Sequence, residues 1–453
     1  MEQDISISLG FKLSIGEVNL NEIVYRLQEI QDELMLKVLE QILLWYDNLI
    51  TDRLSCRNSF SSKDKKGLGS HISKGEATKL CPCRKAEKIG YRQAPRTVKT
   101  VFGKLKLNIR QMRCCSCGKK FSPLLSALEI GSYCRRESNV EHEVVEAVID
   151  TNYRRLIEGR SIDISLGGVH NIVVGSDIDR VFKESVNTSE LSAIVADGTG
   201  VKQTRGSKGE LRTVIGITHS GCVKPLGCFT NTDWGEIEKT VKKRLRHESG
   251  KQRILPFVFD GEPGLDGFLS DIAQSQRCIW HASRGLYHAL WEDGLKKKQS
   301  EPEMEKIKSL VGIELPEQDF ELIKESDKEA VQQCYESSKT EIQELIATFR
   351  EKGYKKGASY LENLSKNLFT HIEIWLQTGV IAPKVTSLLE RVFREIGRRL
   401  KKIAWGWSDK AVTNLSKMIM IRQYSKDKWK EFWKEKLGIK GFFEIKVVRV
   451  GIT

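Results

Sequence analysis

Apolar residues recur at three- and four-residue steps across residues 17–50: Ile23, Leu27, Ile30, Leu34, Val38, Ile42 and Trp45. That spacing puts them on one side of a helix, so one long amphipathic helix is expected, either pairing with a second copy or folding onto its own chain. Residues 57–78 lose the pattern and turn to Ser, Lys and Gly, the composition of a linker. Alternation appears in VKTVFGKLKLNIRQMRC, which predicts a β-hairpin. Residues 137–175 return to helical spacing in three short pieces, ESNVEHEVVEAVIDTNY, RRLIEGRSI and SLGGVHNIVV. Two helices about a tight, Gly-containing joint suit a helix-turn-helix-like unit, and three packing helices without a DNA role are the plainer alternative.

Residues 190–281 read as mixed α/β. Strands are expected at LSAIVAD, ELRTVIGIT, VKPLGCFT, ILPFVFD and RCIWH. A helix is expected at GEIEKTVKKRLRHE, between the third and fourth strands, and another at GEPGLDGFLSDIAQS, between the fourth and fifth. Three consecutive strands followed by helix, strand, helix and strand is the layout of a ribonuclease-H-like core. Residues 282–383 are charged, helix-rich and without strand-like alternation, and residues 384–425 continue as helices. The expected organisation is therefore an N-terminal helix region (1–56), a linker (57–78), a cysteine-bearing unit (79–125) and a helix-turn-helix-like unit (137–175). The first part of an α/β core (190–281), a helical insertion (282–383), the final core helices (384–425) and a tail (426–453) with one late strand, FFEIKVVRVGIT, complete it.

Charge adds a partner to this outline. The chain has a formal net charge of +14 and a pI of about 9.1, which points to a polyanion, most often nucleic acid. From Cys81 to Lys120 twelve Lys or Arg face a single acid, Glu87, a net of +11. No apolar run approaches the roughly 18 residues of a membrane helix, and MEQDISISLGFKLS has no secretory pattern. A cytoplasmic, nucleoid-associated protein without a membrane partner is expected, so the eleven cysteines are not read as a disulfide framework.

Five of those cysteines form two clusters about thirty residues apart, Cys81-Pro-Cys83 and Cys114-Cys115-Ser-Cys117-Gly. Tetrahedral zinc takes four soft ligands from two turns, and the hairpin between the clusters would bring the turns together. Cys81, Cys83, Cys114 and Cys117 are the expected ligands of a structural Zn2+ in a zinc-ribbon-like unit, with Cys115 an alternative to Cys114.

Three acids carry the candidate chemistry. Asp197 ends the apolar run of LSAIVAD, Asp260 ends that of ILPFVFD, and Glu390 lies in the helical segment VTSLLERVFREIGRRLKK. Two carboxylates at buried strand ends and a third from a later helix can hold two divalent metals, and such a pair acts on phosphodiesters. Glu395 shares the helix and is the alternative to Glu390; Glu262, two residues after Asp260, reads as a helix-capping acid. Arg391, Arg394 and Arg398 fall on one helical stripe and suit phosphate contacts beside Glu390, against the plainer reading of a solvated face. Trp405 and Trp407 suit base stacking or core packing equally. Cys278 and His281 form a C-x-x-H step without a second pair nearby, which by itself reads as a buried thiol and a satisfied histidine.

These motifs, in this order, resemble the DDE transposases of prokaryotic insertion sequences, and the plan is similar to that of the Mutator-like families. The resemblance covers roughly residues 80–425 and rests on VADGTGVK, FVFDGEPGL, CIWH and SLLERVFREIGRRLKK, with AWGWSDKAVTNLSKM after them. The C-P-C half of the cysteine unit departs from the usual pattern. The resemblance implies a ribonuclease-H fold, two Mg2+ ions (or Mn2+) on Asp197, Asp260 and Glu390, and binding of terminal inverted repeats and target DNA by a homo-oligomer. It also implies that Cys278 and His281 help organise the active site or the DNA strand. The implied reaction is metal-dependent strand cleavage and strand transfer. The alternatives are a transposase-derived DNA-binding protein without cleavage activity and a ribonuclease-H-like nuclease that does not join strands.

Overall fold

The computed structural model describes residues 20–55, 86–128, 130, 135–159, 162–203, 208–246, 255–316, 320–401, 406–439 and 445. The chain divides into two units, Met1–Ile172 and Val173–Thr453. Cys81, Cys83, the linker, Lys402, Trp405 and nearly all of the expected C-terminal strand lie outside the described residues.

In the first unit, helix α1 (Leu20–Leu54) is followed by strands β1 (Ala86–Tyr91), β2 (Arg96–Thr100), β3 (Gly103–Leu107), β4 (Arg110–Cys114) and β5 (Lys120–Phe121). The expected hairpin is β2–β3, antiparallel from Arg96 opposite Leu107 to Thr100 opposite Gly103. Outside it, β1 and β4 pair antiparallel, and β5 joins the far side of β4. Alternation sends Val98, Leu105 and Leu107 inward, where Leu36, Leu39 and Leu43 of α1 cover them. The long helix thus uses its second half to fold onto its own chain. Its first half leaves Leu20, Ile23, Leu27 and Ile30 exposed, at 74, 47, 50 and 36%.

Helices α2 (Pro123–Ala127), α3 (Ser138–Asp150), α4 (Tyr153–Gly159) and α5 (Leu166–Gly175) follow, and the division between the units falls within α5. Glu137 caps α3, its side chain accepting from Asn139 N. Val140, Val144, Val145 and Val148 form the buried stripe of α3.

The second unit is built on one mixed sheet. Its strands are β7 (Leu191–Lys202), β8 (Lys208–Thr218), β9 (Val223–Thr230), β11 (Pro256–Phe259) and β12 (Gln274–Arg277), in the order β12-β11-β7-β8-β9. The pairs β7–β8 and β8–β9 are antiparallel, while β11 runs parallel to both β7 and β12. A separate two-stranded ladder joins β6 (Val186–Asn187) to β10 (Leu245–Arg246). Helix α6 (Trp234–Lys242) starts on Asp233, whose side chain accepts from Glu236 N. On one face of the sheet, Ile194, Ala196, Phe257 and Phe259 pack with Trp234 and Ile237 of α6 and with Leu265, Phe268 and Leu269.

Two expectations fail in this region. Residues 261–273 hold no helix: Gly261, Gly264, Gly267 and Leu269 all have positive φ (101, 93, 83 and 57°), which a right-handed helix forbids, and the segment closes as successive turns. The last strand ends at Arg277, and the apolar residues of RCIWH instead begin helix α7 (Ile279–Glu292), with Cys278 at its N-cap.

The insertion is helical. α7, α8 (Lys297–Val311), α9 (Glu325–Glu351), α10 (Lys355–Ser365) and α11 (Thr370–Thr378) enclose a separate core that includes Leu286, Ile342, Phe349, Leu361 and Trp375. The chain then returns to the sheet: α12 (Ser387–Leu400) packs on β7, and α13 (Asp409–Tyr424) packs on β9. Helix α14 (Lys426–Lys436) is the last helix among the described residues. Among the described residues no helix is long and apolar enough to cross a membrane.

Candidate active site

Strand register brings the first two acids together. Ile194 lies opposite Phe257 and Val195 opposite Val258. Carried two residues further, the same parallel register sets Asp197 beside Asp260; Asp260 follows the last residue of β11, whereas β7 runs on past Asp197 to Lys202, so the first acid lies within its strand and not at its end. Side chains alternate along a strand, so Asp197 shares a face with Ala193 and Val195, away from the phenylalanine core. That is the face on which α12 packs, and Glu390 stands in the first turn of α12.

The backbone fixes both aspartates. Gly198 N donates to Asp197 Oδ1 at 2.7 Å, and Glu262 N donates to Asp260 Oδ1 at 2.9 Å. Asp197 is 7% exposed; burial first, and then the nearby negative charge of Asp260, push its carboxyl up to about 7.

Cys278 and His281 join the acids. His281 Nδ1 is 3.3 Å from Cys278 Sγ, and His281 Nε2 is 3.6 Å from Glu390 Oε1. The Cys278 sulfur also accepts from the backbone N of Thr386 at 3.4 Å and from its hydroxyl at 3.5 Å. Thr386 caps α12, so this sulfur ties the start of α7 to the start of α12. The bond to Cys278 raises the His281 pKa against the opposing effect of burial, and the charges of Asp260 and Asp197 add to the rise. Burial pushes the Cys278 thiol up, but the hydrogen bonds from His281 and Thr386 outweigh it and leave the thiol below its ordinary value.

Several residues around the site carried no clear signal in the sequence. Glu262 caps no helix. Its Oε1 accepts from Arg212 Nη2 and from Trp234 Nε1, both at 2.8 Å. The Arg212 guanidinium lies over the Trp234 ring, 5.2 Å from its centroid, and Arg212 Nη1 donates to Thr232 O. A charged residue inside the apolar run ELRTVIGIT was the available hint to Arg212. Arg277, 7% exposed, lies over the Phe259 ring and against Gly261, where a Cβ would stand 1.8 Å from its Nη2. Only glycine admits the guanidinium there, next to the Asp260 carbonyl.

Glu395 forms an ion pair with Arg398 at 2.8 Å, while Glu390 faces His281. Arg391, Arg394 and Arg398 lie exposed on one side of α12, whereas Arg399 is buried. Trp407 is buried, which makes it a packing residue.

The donor types suit a hard divalent cation, since Asp197, Asp260 and Glu390 offer carboxylate oxygens on one face of the sheet. The set is not closed around one point: among the described residues no three His, Cys, Asp or Glu side chains already surround a metal position. In the first unit, Cys117 N donates to Cys114 Sγ at 3.4 Å, and Gly118, at φ 69°, donates to Cys114 O at 3.0 Å. That turn aims one amide at the Cys114 sulfur and one at its carbonyl oxygen. Cys114 is buried, Cys117 is exposed, and Cys115 is disulfide-bonded.

No family model matches the chain, and no curated protein matches it. Among solved structures it is similar to the "Drosophila P element transposase strand transfer complex", at 10% identity over 66% of this chain and 81% of that one. The TM-score of 0.23 is too low for that likeness to decide fold or function.

Proposed function

We propose that this chain is a DDE-type DNA transposase with a ribonuclease-H-like core, which cleaves transposon ends and transfers the strand to target DNA. One observation carries the reading. Asp197, midway along β7, stands beside Asp260 at the end of the parallel strand β11, and Glu390 approaches the same face on α12, held there by His281.

Asp197 and Asp260 would hold divalent ions, with Glu390 completing the set as it turns from His281. Mg2+ or Mn2+, when bound, activates the attacking water or hydroxyl and neutralises charge on the leaving oxygen. The chain's own residues shape the cleft around that chemistry. His281 offers Glu390 a partner and so fixes its rotamer near the aspartates. Arg212 and Trp234 hold Glu262 aside, and Arg277 steadies the turn that carries Asp260. Arg391, Arg394 and Arg398 offer phosphate contacts on the exposed side of the Glu390 helix.

The first unit is read as the end-recognition part. Cys114 and Cys117 would supply half of a structural zinc site, with Cys81 and Cys83 the other half, and α3–α5 a helix-turn-helix-like element. The exposed stripe of α1 suits self-association on DNA. Its apolar positions, Leu20, Ile23, Leu27, Ile30 and Leu34, alternate by three and four residues, the spacing of a two-helix seam.

The test uses a duplex that carries the inverted repeat flanking the gene. Asp197→Ala, Asp260→Ala and Glu390→Ala should each abolish Mg2+-dependent cleavage yet bind DNA almost as the parent does, because affinity comes mainly from the basic surface. Glu395→Gln is the control and should cleave normally. Near-normal cleavage by any of the three variants would remove that residue from the set. Cleavage without joined product would make the protein a nuclease.

A further inference from the structure

Helix α7 begins at the candidate site and carries two of the most exposed aromatic side chains among the described residues. Trp280 and Trp291 are each 63% exposed. Between them, Arg284 and His288 are also exposed. At 3.6 residues per turn, positions 280, 284, 288 and 291 fall within about 80° of one another, so the four form one stripe. No acid lies between the two tryptophans; the first is Glu292, which pairs with Lys356 at 3.9 Å. Beyond the helix, Lys296, Lys297 and Lys298 are exposed in turn.

We infer that this stripe is a stacking track for an unpaired DNA strand leaving the cleavage site. The inference rests on the transposase reading and adds the form of substrate which that site takes. Three observations support a nucleic-acid strand as the occupant.

The first is continuity. Trp280 precedes His281, their ring centroids are 5.6 Å apart, and His281 contacts Glu390. The second is chemistry. Two indoles flank an arginine and lead to three lysines, which combines base stacking with phosphate attraction. The third is dimension. Eleven helical positions separate the tryptophans, a rise of about 16 Å, or about five steps of a stacked strand at roughly 3.4 Å each. Paired bases hide their faces inside the duplex, so a flat indole gains most from a base already unpaired. Burial in a core does not explain the tryptophans, since each is nearly two-thirds exposed.

The probe is a duplex with a central mismatch bubble of about five nucleotides carrying 2-aminopurine, compared with the fully paired duplex, without divalent metal. The full-length protein should quench the 2-aminopurine and prefer the bubble. Trp280→Ala and Trp291→Ala should each weaken bubble binding roughly tenfold, the effect of one lost stack, while binding of the paired duplex stays nearly unchanged. Trp280→Phe should recover most of the preference, which a mere folding defect would not allow. Equal losses on both probes, or no loss on either, would overturn the inference. So would unchanged bubble binding together with loss of self-association, which would assign the stripe to a protein contact. Asp197→Asn should keep the bubble preference and lose cleavage. If it still cleaved, the catalytic reading would fail while the binding result stood apart.

Discussion

His281 Nε2 stands 3.6 Å from Glu390 Oε1, and the two residues lie in the first turns of different helices, α7 and α12. One hundred and nine positions separate them, most of them in the helical insertion. The insertion therefore leaves the five-stranded sheet after β12 and re-enters at α12 with its two ends fastened by one cluster: His281, Cys278 and Thr386. Rigid ends allow a long insertion without displacing the third acid.

His281→Ala should therefore lower cleavage roughly ten- to a hundredfold, the usual loss when the partner that orients a ligand is removed. The midpoint of Mg2+ activation should rise as well, because Glu390 would have to be ordered by the ion alone. DNA affinity should not change. A titration of cleavage rate against Mg2+ checks this, and an unchanged midpoint with reduced rate would make His281 a group acting on the substrate instead. Cys278→Ser keeps a hydrogen-bonding atom in place and should be milder than His281→Ala.

A second histidine should set an acid limit on stability. His371 is fully buried, its Nδ1 faces Gln276 Oε1 at 3.1 Å, and its Nε2 has no hydrogen-bond partner. Burial first, and then the Lys384 charge, hold it down to about 4. The folded value lies below the ordinary 6.5, so the native state disfavours the protonated ring. The contribution is complete above pH 6.5 and is lost as pH falls from there toward 4, by roughly 3 kcal/mol at most. Thermal midpoints measured across that range should fall less in His371→Gln than in the parent. An identical acid limb in the variant would place the sensitivity elsewhere.

Which features could be read from the chain follows from how local their causes are. Asp197 and Asp260 were legible because each ends a run of buried β-branched and aromatic residues, although Asp197 lies within the central strand, where β7 continues to Lys202, and not at a strand end. The stripe of Arg391, Arg394 and Arg398 was legible from helical spacing alone. The segment 261–273 was misread because GLDGFLSDIAQS has helix-like apolar spacing, although three glycines at three-residue steps were a visible warning. RCIWH was misread because a short apolar run does not tell a strand from a buried helix start. The His281–Glu390 contact had no local signature, since it depends on a fold closing over more than one hundred residues.

The first half of α1 should decide the assembly state. Its seam residues, Leu20, Ile23, Leu27 and Ile30, are exposed, while its second half is covered by the β2–β3 hairpin. Leu27→Glu alters a side chain that is 50% exposed and should leave the chain folded. If two copies pair here, each loses a leucine that burial stabilises by about 1.5–3 kcal/mol, so dimer affinity should fall at least a hundredfold. Light scattering on the full-length protein distinguishes the outcomes. A monomeric parent, or a variant that associates as well as the parent does, would sink the proposed pairing.

Zinc is the last expectation to test, and the two described cysteines proposed as ligands differ in how they are held. Cys114 is buried at the end of β4, and Cys117 is exposed one turn later, with its amide directed at the Cys114 sulfur. An amide donating to sulfur stabilises a thiolate, which is the form that binds metal. A purified, reduced sample should therefore carry about one zinc per chain. Cys114→Ser should lose the metal and destabilise the β1–β4 ladder. Cys117→Ser should lose the metal with less effect on the strands, since its side chain is exposed. If the first unit recognises the repeat, that function should fail with the metal, because zinc would fasten the turn between β4 and β5 beside a segment rich in Lys and Arg. Preference for the inverted repeat over unrelated DNA should then fall in both variants, while the salt dependence of binding, set by the basic charges that remain, should change little. Metal analysis that finds no zinc in a folded, reduced parent would remove the site, and unchanged repeat preference in metal-free variants would place end recognition elsewhere in the chain.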